Sequence, residues 1–521
     1  MVRNLLYCLL FIVLSVLCGC SEKEQPDLIS ICDESIEYFD SVMEFPSSGG
    51  SKTVKFSTNK NWEIHVTDLE DMDENWCEVS PRFGAAGDVT FTISVSENTS
   101  YEERSALVSI LVGDVTKKLR VLQAPKEILS LSTPSTYTVT YKEQNLEIKL
   151  LTNTKFDISC DLEWIDLNST RGINESSILL SIHENNTSEN RVGTITISSE
   201  SSEKVIEIFQ YGLPIDLSAK GTANCYIVPL RDAYFCFDAS VAGNDKTYPL
   251  HGGAGVKIVW DSSINNLQDY SIDNIEYDSE KERIIFHSKQ SEGNVLIALQ
   301  DQNNNIIWSW HLWLTNNNPN DNFITFSDGT ILMDRYLGAS TDESVGLYYQ
   351  WGRKDPFCPR KYEYFRPSGN PVTVEYCNSH PNKFVGGGYD WTEWDWNTEH
   401  TAKWTTIKSI YDPCPPGWKV MDAECLLSLS EGCFIDENSR CFIIGEPNCT
   451  PQTKFKATGL IHSAGHIDGT GSHVAMWTNR GIFYNFYVGL ELYLSISPNT
   501  TRFEDSYSGR IYGQCVRCQR E

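Results

Sequence analysis

Alternation of apolar and polar side chains with a period of two runs through the N-terminal part of this chain. Between Ser35 and Lys126 it recurs in five segments, and Gly49-Gly50, Gly84 to Gly87 and Gly113-Asp114 interrupt the pattern where the chain reverses. A period of two places successive side chains on opposite faces of an extended strand, so each segment predicts a half-buried strand. The segments are Val54/Phe56, Trp62/Ile64/Val66, Val89/Phe91/Ile93/Val95, Val108/Ile110/Val112 and Leu119/Val121. No long amphipathic helix competes with them, which predicts a mostly β fold.

The same pattern returns after ~90 residues, an ordinary length for a β-sandwich. The matching pairs are Ser57-Thr58-Asn59 with Leu151-Thr152-Asn153, Trp76-Cys77-Glu78-Val79 with Trp164-Ile165-Asp166-Leu167, and Arg104 through Gln123 with Arg191 through Gln210. We therefore predict two tandem sandwiches, over residues 34–125 and 126–213.

The Ser48-Gly49-Gly50 turn, the tryptophan in a strand and the closing strand that ends in Gln resemble the BACON domain, an immunoglobulin-like module. The resemblance implies one of two roles, which are carbohydrate binding and a spacer that lifts another domain off a membrane. Trp62, Trp76 and Trp164 lie in strand patterns, where an aromatic ring more often fills a core than faces solvent. These residues favour the spacer.

Residues 214–315 predict a further β-rich, immunoglobulin-like module. In its last strand the alternation places Trp308, Trp310, Leu312 and Leu314 on one face and Ser309, His311 and Trp313 on the other. A strand that is apolar on both faces is usually buried between layers. The alternative is that Trp308 and Trp310 stack on a sugar ring.

A polar linker, Asn316 to Asp321, opens the last module, residues 316–521. Its landmarks are Met333-Asp334-Arg335-Tyr336-Leu337-Gly338-Ala339, Tyr348 to Phe357, Tyr411-Asp412-Pro413-Cys414-Pro415-Pro416-Gly417-Trp418-Lys419-Val420 and Val516-Arg517-Cys518. In order and spacing they resemble the Fibrobacter succinogenes major paralogous domain, which implies an α+β, C-type-lectin-like fold. A short helix capped by Asp422 is expected after the third landmark.

The same resemblance implies a disulfide between Cys414 and Cys518. The alternative is a disulfide between Cys515 and Cys518, which form a C-x-x-C motif. Redox or metal chemistry at this motif would require a partner site.

The best candidate binding loop combines glycines, aromatic rings and carboxylates between residues 386 and 397. Aromatic rings stack on the apolar faces of sugars, and carboxylates accept hydrogen bonds from hydroxyls. The alternative is that the loop buries its own tryptophans as a small core. The candidate glycan-binding residues are Tyr389, Trp391, Glu393, Trp394, Asp395 and Trp396.

Patterns for catalysis are weak in this sequence. His462, His466 and His473 lie close together, but their spacing matches no strong metal signature, so no metal site is predicted. No Walker loop, H-E-x-x-H or G-x-S-x-G motif is present, and nothing selects a carboxylate pair of a glycosidase. We expect neither a cofactor nor an enzymatic activity.

The first 20 residues combine Arg3, an apolar run from Leu5 to Leu17 and small residues before Cys20, which is typical of a signal peptide. The Leu-Cys-Gly-Cys ending resembles the bacterial lipobox, which implies cleavage before Cys20 and acylation of its thiol. Residues 21–33 then form an acidic tether. The alternative is a secreted protein whose signal happens to end in Cys.

The formal net charge of -28 excludes nucleic acid as a natural partner, because binding phosphates requires clustered Lys and Arg. Together these features predict a lipid-anchored protein of the outer membrane, exposed at the cell surface, that binds a glycan or another surface protein. Its rivals are an anchor or tip subunit of a surface appendage and, more weakly, an enzyme of glycan or sulfate-ester metabolism.

Overall fold

The computed structural model describes residues 26–68, 75–170, 174–263, 270–368, 372–387, 395–396, 403–428, 433–444, 452–483, 487–495 and 505–521. The prediction of a mostly β chain is confirmed. The described residues divide into two compact units. The first holds those up to Phe209, except Val139–Tyr141 and Asn185–Arg191, which belong with Gln210–Glu521 in the second.

The described residues of the first sandwich form one short helix and nine strands. The helix is α1 (Asp33–Asp40), and the strands are β1 (Ile29–Ile31), β2 (Val42–Phe45), β3 (Gly50–Thr58), β4 (Trp62–Asp68), β5 (Cys77–Ser80), β6 (Phe83–Gly84), β7 (Gly87–Val95), β8 (Arg104–Val112) and β9 (Val115–Gln123). They form the sheets β1-β3-β7-β5 and β2-β9-β8-β4-β6. The inward side chains of both sheets, which the period of two predicts, meet in one core that includes Val54, Phe91, Val108 and Ile110.

The second sandwich repeats this arrangement. Its strands are β10 (Leu129–Leu131), β11 (Thr136–Val139), β12 (Gln144–Thr152), β13 (Asp157–Ser159), β14 (Ile165–Thr170), β15 (Asn174–Ile182), β16 (Arg191–Ser198) and β17 (Glu203–Gln210). They form the sheets β10-β12-β15-β14 and β11-β17-β16-β13. With β6 set aside, this is the strand order of the first sandwich.

The third module has the same strand order as well. Its strands are β18 (Ile215–Asp216), β19 (Cys225–Pro229), β20 (Ala233–Asp238), β21 (Gly255–Asp261), β22 (Ile272–Asp278), β23 (Arg283–Ser288), β24 (Gly293–Gln300) and β25 (Ile306–Thr315). The sheets are β18-β20-β23-β22 and β19-β25-β24-β21, and β19 runs parallel to β25 as β2 runs parallel to β9. The described chain therefore contains three sandwiches of one strand order, although no residue pattern of the first two recurs in the third. One pairing differs in direction, because β18 runs parallel to β20 whereas β1 and β10 run antiparallel to β3 and β12.

The described residues of the last module form many short strands and two six-residue helices. The helices are α2 (Val374–Ser379) and α3 (Ala423–Ser428), and α3 begins directly after Asp422, where a helix is predicted. The strands are β26 (Phe323–Thr325), β27 (Ile331–Met333), β28 (Tyr348–Gln350), β29 (Glu363–Phe365), β30 (Lys383–Val385), β31 (Trp418–Val420), β32 (Cys433–Asp436), β33 (Cys441–Ile444), β34 (Thr453–Lys456), β35 (Leu460–Ile461), β36 (Ile467–Asp468), β37 (His473–Phe483), β38 (Tyr487–Ser495), β39 (Asp505–Gly509), β40 (Gly513–Val516) and β41 (Cys518–Arg520).

Four sheets organise these strands. The largest has the order β36-β35-β40-β37-β38-β39 with β28 paired to β40, and the others are β26-β27-β41-β31, β32-β33-β34 and the parallel pair β29-β30. The last two strands, β40 and β41, lie in the two largest of these sheets, so the end of the chain ties them together.

The third sandwich and the last module share one hydrophobic core. Cys225, Trp260, Leu296 and Trp313 of the sandwich pack in the same cluster as residues of the last module. The latter are Met333, Leu337, Leu347, Tyr349, Trp351, Cys358, Trp404, Cys414, Trp418, Val420, Trp477, Val516 and Cys518. Residues 214–315 and 316–521, predicted as separate domains, thus form parts of one compact unit.

Candidate functional site

The two described candidate residues of the predicted glycan-binding loop, Asp395 and Trp396, are buried. Trp396 is 1% exposed and packs against Val374, Cys377 and Val385, and its indole N–H donates to the Trp351 carbonyl at 2.9 Å. Tyr389, Trp391, Glu393 and Trp394 lie outside the described residues. Trp396 therefore fills the small core that was the alternative to glycan binding.

Asp395 is also internal. Its carboxylate accepts a hydrogen bond from the Arg510 guanidinium, and both side chains are buried. A buried carboxylate of this kind is stabilised by its ion pair, and loss of either partner leaves a charge without compensation. Asp395 thus anchors this end of the loop, and its placement gives it a structural role.

Cys414 and Cys518 are joined in a disulfide with an S–S distance of 2.02 Å and a Cα–Cα distance of 6.0 Å. The bond ties the segment before β31 to β41 across 104 residues. Cys515, the rival partner, is a free and buried thiol, and burial raises its pKa to about 12. It therefore stays protonated at neutral pH and is a poor nucleophile.

The three clustered histidines do not converge on one point. The His462 and His466 rings stack with centroids 5.0 Å apart, and His466 Nε2 lies 2.9 Å from Asp468 Oδ2. His473 Nδ1 instead lies 2.9 Å from the Ser472 hydroxyl. Among the residues that the structure describes, no three His, Cys, Asp or Glu side chains are placed to hold a metal ion.

Strand β25 is covered on both faces, as its alternation predicts. Trp308 and Trp310 are buried in the core between the two sheets of the third sandwich. Trp313 points the other way, into the core shared with the last module. Neither Trp308 nor Trp310 is accessible to a sugar, so the alternative of sugar stacking at this strand is wrong.

A buried polar network joins the two modules of this unit. Ser309 donates to the Asp355 carboxylate at 2.6 Å, and the same oxygen accepts from the Lys354 ammonium at 2.6 Å. The Lys354 ammonium lies 4.4 Å from the centre of the Trp308 ring, a cation–π contact. Burial lowers the Lys354 pKa, and the nearby Asp355 opposes that shift.

Asn224, directly before β19 in the third sandwich, forms a second link between the modules. Its side-chain amide donates to the carbonyls of Ile410 and Asp412, and its oxygen accepts from the Trp308 indole. Asn224 and Ser309, two polar residues of the third sandwich, thus bind the last module.

An open cleft of about 630 Å³ lies where the third sandwich meets the last module. Residues 257–259 and 304–306 supply one wall, and residues around the end of α2 and the start of β30 supply the other. Sequence reasoning missed this cleft, because its lining comes from four segments that share no motif.

A comparison with protein families finds a match for the first two sandwiches. Residues 60–124 and 154–211 match the model of the BACON family, described as "Putative binding domain, N-terminal". Both predicted BACON repeats are confirmed. A search of curated proteins finds no match.

Several solved structures are similar to parts of this chain. A GH5 xyloglucanase from Bacteroides ovatus, in complex with a XXXG heptasaccharide, is 22% identical over 19% of this chain and 20% of its own, with a TM-score of 0.16. The titin I-band fragment I67-I69 is 10% identical over 52% of this chain and 95% of its own, with a TM-score of 0.26. This chain thus spans a fifth of the length of the xyloglucanase.

The tryptophans of the first BACON sandwich face inward. Trp62 is 5% and Trp76 is 2% exposed, and Arg104 lies over the Trp76 ring at 4.7 Å. Trp164 of the second BACON sandwich is half-buried. The rings that a sugar platform would need are therefore used mainly for packing in the first sandwich, which agrees with the spacer role.

Proposed function

We propose that this chain is a surface-exposed lipoprotein of the outer membrane, anchored through acylated Cys20, whose unit from Gln210 to Glu521 captures a glycan. The two BACON sandwiches serve as spacers between the lipid and that unit. In the described residues no helix is long and apolar enough to cross a membrane. Several acyl chains on one residue suffice for stable anchoring.

The observation that carries the proposal is the position of the cleft in the second unit. The first BACON sandwich also has an open cleft, of about 600 Å³, but that cleft lies within one module, whereas the cleft of the second unit lies where two modules meet around a shared core. Ligand sites are concave, of this order of size, and lie preferentially where two modules meet. The cleft therefore supports placing recognition in the second unit.

The first test is a glycan array probed with the soluble chain from Ser21 and with a matched protein that ends at Gly212. The longer protein is expected to bind a defined subset of glycans, and the shorter one is expected to bind none. Equal binding by both would move recognition to the BACON sandwiches. Absence of glycan binding together with co-purification of a surface protein would instead favour the appendage subunit.

Anchoring needs its own measurement. Labelled palmitate should be incorporated into the wild-type chain, and the protein should partition into detergent. Cys20→Ser removes the thiol and should abolish both. A wild-type protein that is released in soluble form would contradict the lipoprotein assignment.

A further inference from the structure

The cleft of the second unit has an unusual charge for this molecule. The chain carries 70 acidic and 42 basic residues, yet the cleft lining holds Lys257, Lys383 and His380 against the single lining carboxylate Glu363. The cleft is therefore a locally basic patch on an acidic protein. Such a patch attracts anions that the rest of the surface repels.

Strand geometry explains why Lys257 faces the cleft. Val256 and Ile258 pack towards the core between the sheets, so the residue between them points to the opposite face, towards the last module. The pairing of β21 with β24 shifts between Ile258 and Trp260, which is a bulge. Val259 and Trp260 both reach the shared core as a result, and Val259 forms part of the cleft floor.

Lys383 is held in place by aromatic rings. Its ammonium lies 5.2 Å from the centre of Phe365 and 6.0 Å from that of Tyr376. Neither Lys383 nor Lys257 forms an ion pair with any residue that the structure describes. Glu363 accepts a hydrogen bond from Asn382 at 3.3 Å and leaves both ammonium groups free for a ligand.

A hydrogen bond defines the tautomer of the neutral His380 ring. Its Nδ1 lies 2.9 Å from the Tyr376 carbonyl, which can only accept, so Nδ1 carries the proton of the neutral ring. The ring also stacks on Tyr376 with centroids 4.2 Å apart. Nε2 is then the acceptor of the neutral ring and a second donor when the ring is charged.

We infer that this cleft binds an acidic sugar, in which Lys257 and Lys383 pair with a carboxylate or sulfate. Asn304, Asn305 and Asn382 also line the cleft and can bond to hydroxyls, while Val259 and Ile306 offer an aliphatic wall to C–H faces. This assignment rests on the proposed glycan capture and adds the ligand class and the site.

Calorimetry with the soluble chain from Ser21 tests the assignment. The probes are trigalacturonate, a sulfated galactose trisaccharide and fully methyl-esterified trigalacturonate, which keeps the sugar shape but loses the charge. At least one charged probe should bind about tenfold more tightly than the ester. The preference between the first two probes identifies the acid.

The matching variant is the double substitution Lys257→Met and Lys383→Met, which keeps the aliphatic stems and removes the charges. It should bind the charged probe about tenfold more weakly and the ester equally well. Lys281→Met, at an exposed position of the same sandwich that does not line the cleft, is the control and should bind as the wild type does.

Four results would overturn the inference. Equal binding of the acid and the ester, or undiminished binding by the double variant, would contradict the assignment of the ligand to this cleft. The array result would then still support the proposed glycan capture. Cleft-dependent binding of poly-glutamate without sugar binding would assign the cleft to an acidic peptide. No binding to any glycan on the array would reject the proposed function as well.

Discussion

Buried polar side chains help to specify how the two modules of the second unit pack together. His311 points from β25 towards the last module, and its Nε2 lies 2.9 Å from Asn294 Oδ1, so it donates there as a neutral ring. Asn294 in turn donates to the Gly338 carbonyl at 2.9 Å. His311 Nδ1 is buried and has no hydrogen-bond partner among the described residues. A proton at Nδ1 would be an uncompensated charge in the core.

This burial makes His311 a source of acid sensitivity. Burial lowers its pKa from 6.5 to about 3, so the unfolded chain takes up the proton first and stability is lost as pH falls below 6.5. Between pH 7 and pH 5 the loss should be about 2 kcal/mol. His311→Gln keeps a donor to Asn294 without titrating, and should lack this part of the pH dependence.

Urea unfolding followed by tryptophan fluorescence measures the difference at each pH. All but three of the 14 tryptophans lie beyond residue 210, so the signal reports mainly on the second unit. Parallel pH profiles for the wild type and His311→Gln would contradict a neutral, buried His311.

The two BACON repeats share hydrogen bonds as well as a strand order. Arg104 at the start of β8 donates through Nε to Gln123 Oε1 at 2.8 Å, and Arg191 at the start of β16 does the same to Gln210 at 2.8 Å. The Gln123 amide also donates to the Ser96 carbonyl at 2.8 Å. The closing glutamine of each repeat therefore holds a charged guanidinium in place.

Gln123→Ala should destabilise the first sandwich by about 2 kcal/mol, because it leaves a buried guanidinium N–H without its acceptor. Hydrogen exchange of peptides from β8 and β9 should become about 30-fold faster if it follows opening of the sandwich. Lys118→Ala, at an exposed position of β9, is the control and should leave exchange unchanged. Unchanged exchange in Gln123→Ala would show that Arg104 is satisfied without the glutamine.

The residue pattern predicts the structure best where an interaction is local or repeated along the chain. The period of two predicts which side chains of β25 lie on each face of the strand. The repeated spacing of Arg and Gln corresponds to the same Arg-to-Gln hydrogen bond in both BACON sandwiches. The pattern fails where partners are far apart in sequence. Asp395 is predicted as a binding residue but meets Arg510, 115 residues later. The cleft and the topology of the third sandwich lack a repeated residue pattern, so the sequence does not reveal them.

At the scale of the whole molecule, the second unit behaves as one body built from two modules. Trp313 of the sandwich and Trp351, Trp418 and Trp477 of the last module pack in one cluster. Lys354 and Asp355 are 1% and 3% exposed because the sandwich covers them. The polar stretch at Asn316 to Asp321 is therefore a connection inside one folded unit, although its composition is that of a domain linker.

A protein that contains only residues 316–521 should therefore fold poorly. It would expose the apolar face that Trp313, Trp260 and Leu296 cover, and Asp355 would lose the hydrogen bond that the Ser309 hydroxyl donates to it. Large exposed apolar patches promote association. The longer protein from Gln210 to Glu521 should be monomeric, with cooperative unfolding and little binding of a hydrophobic dye. If the shorter protein is equally monomeric and cooperative with Cys414 and Cys518 oxidised, the shared core is dispensable and the two modules are independent domains.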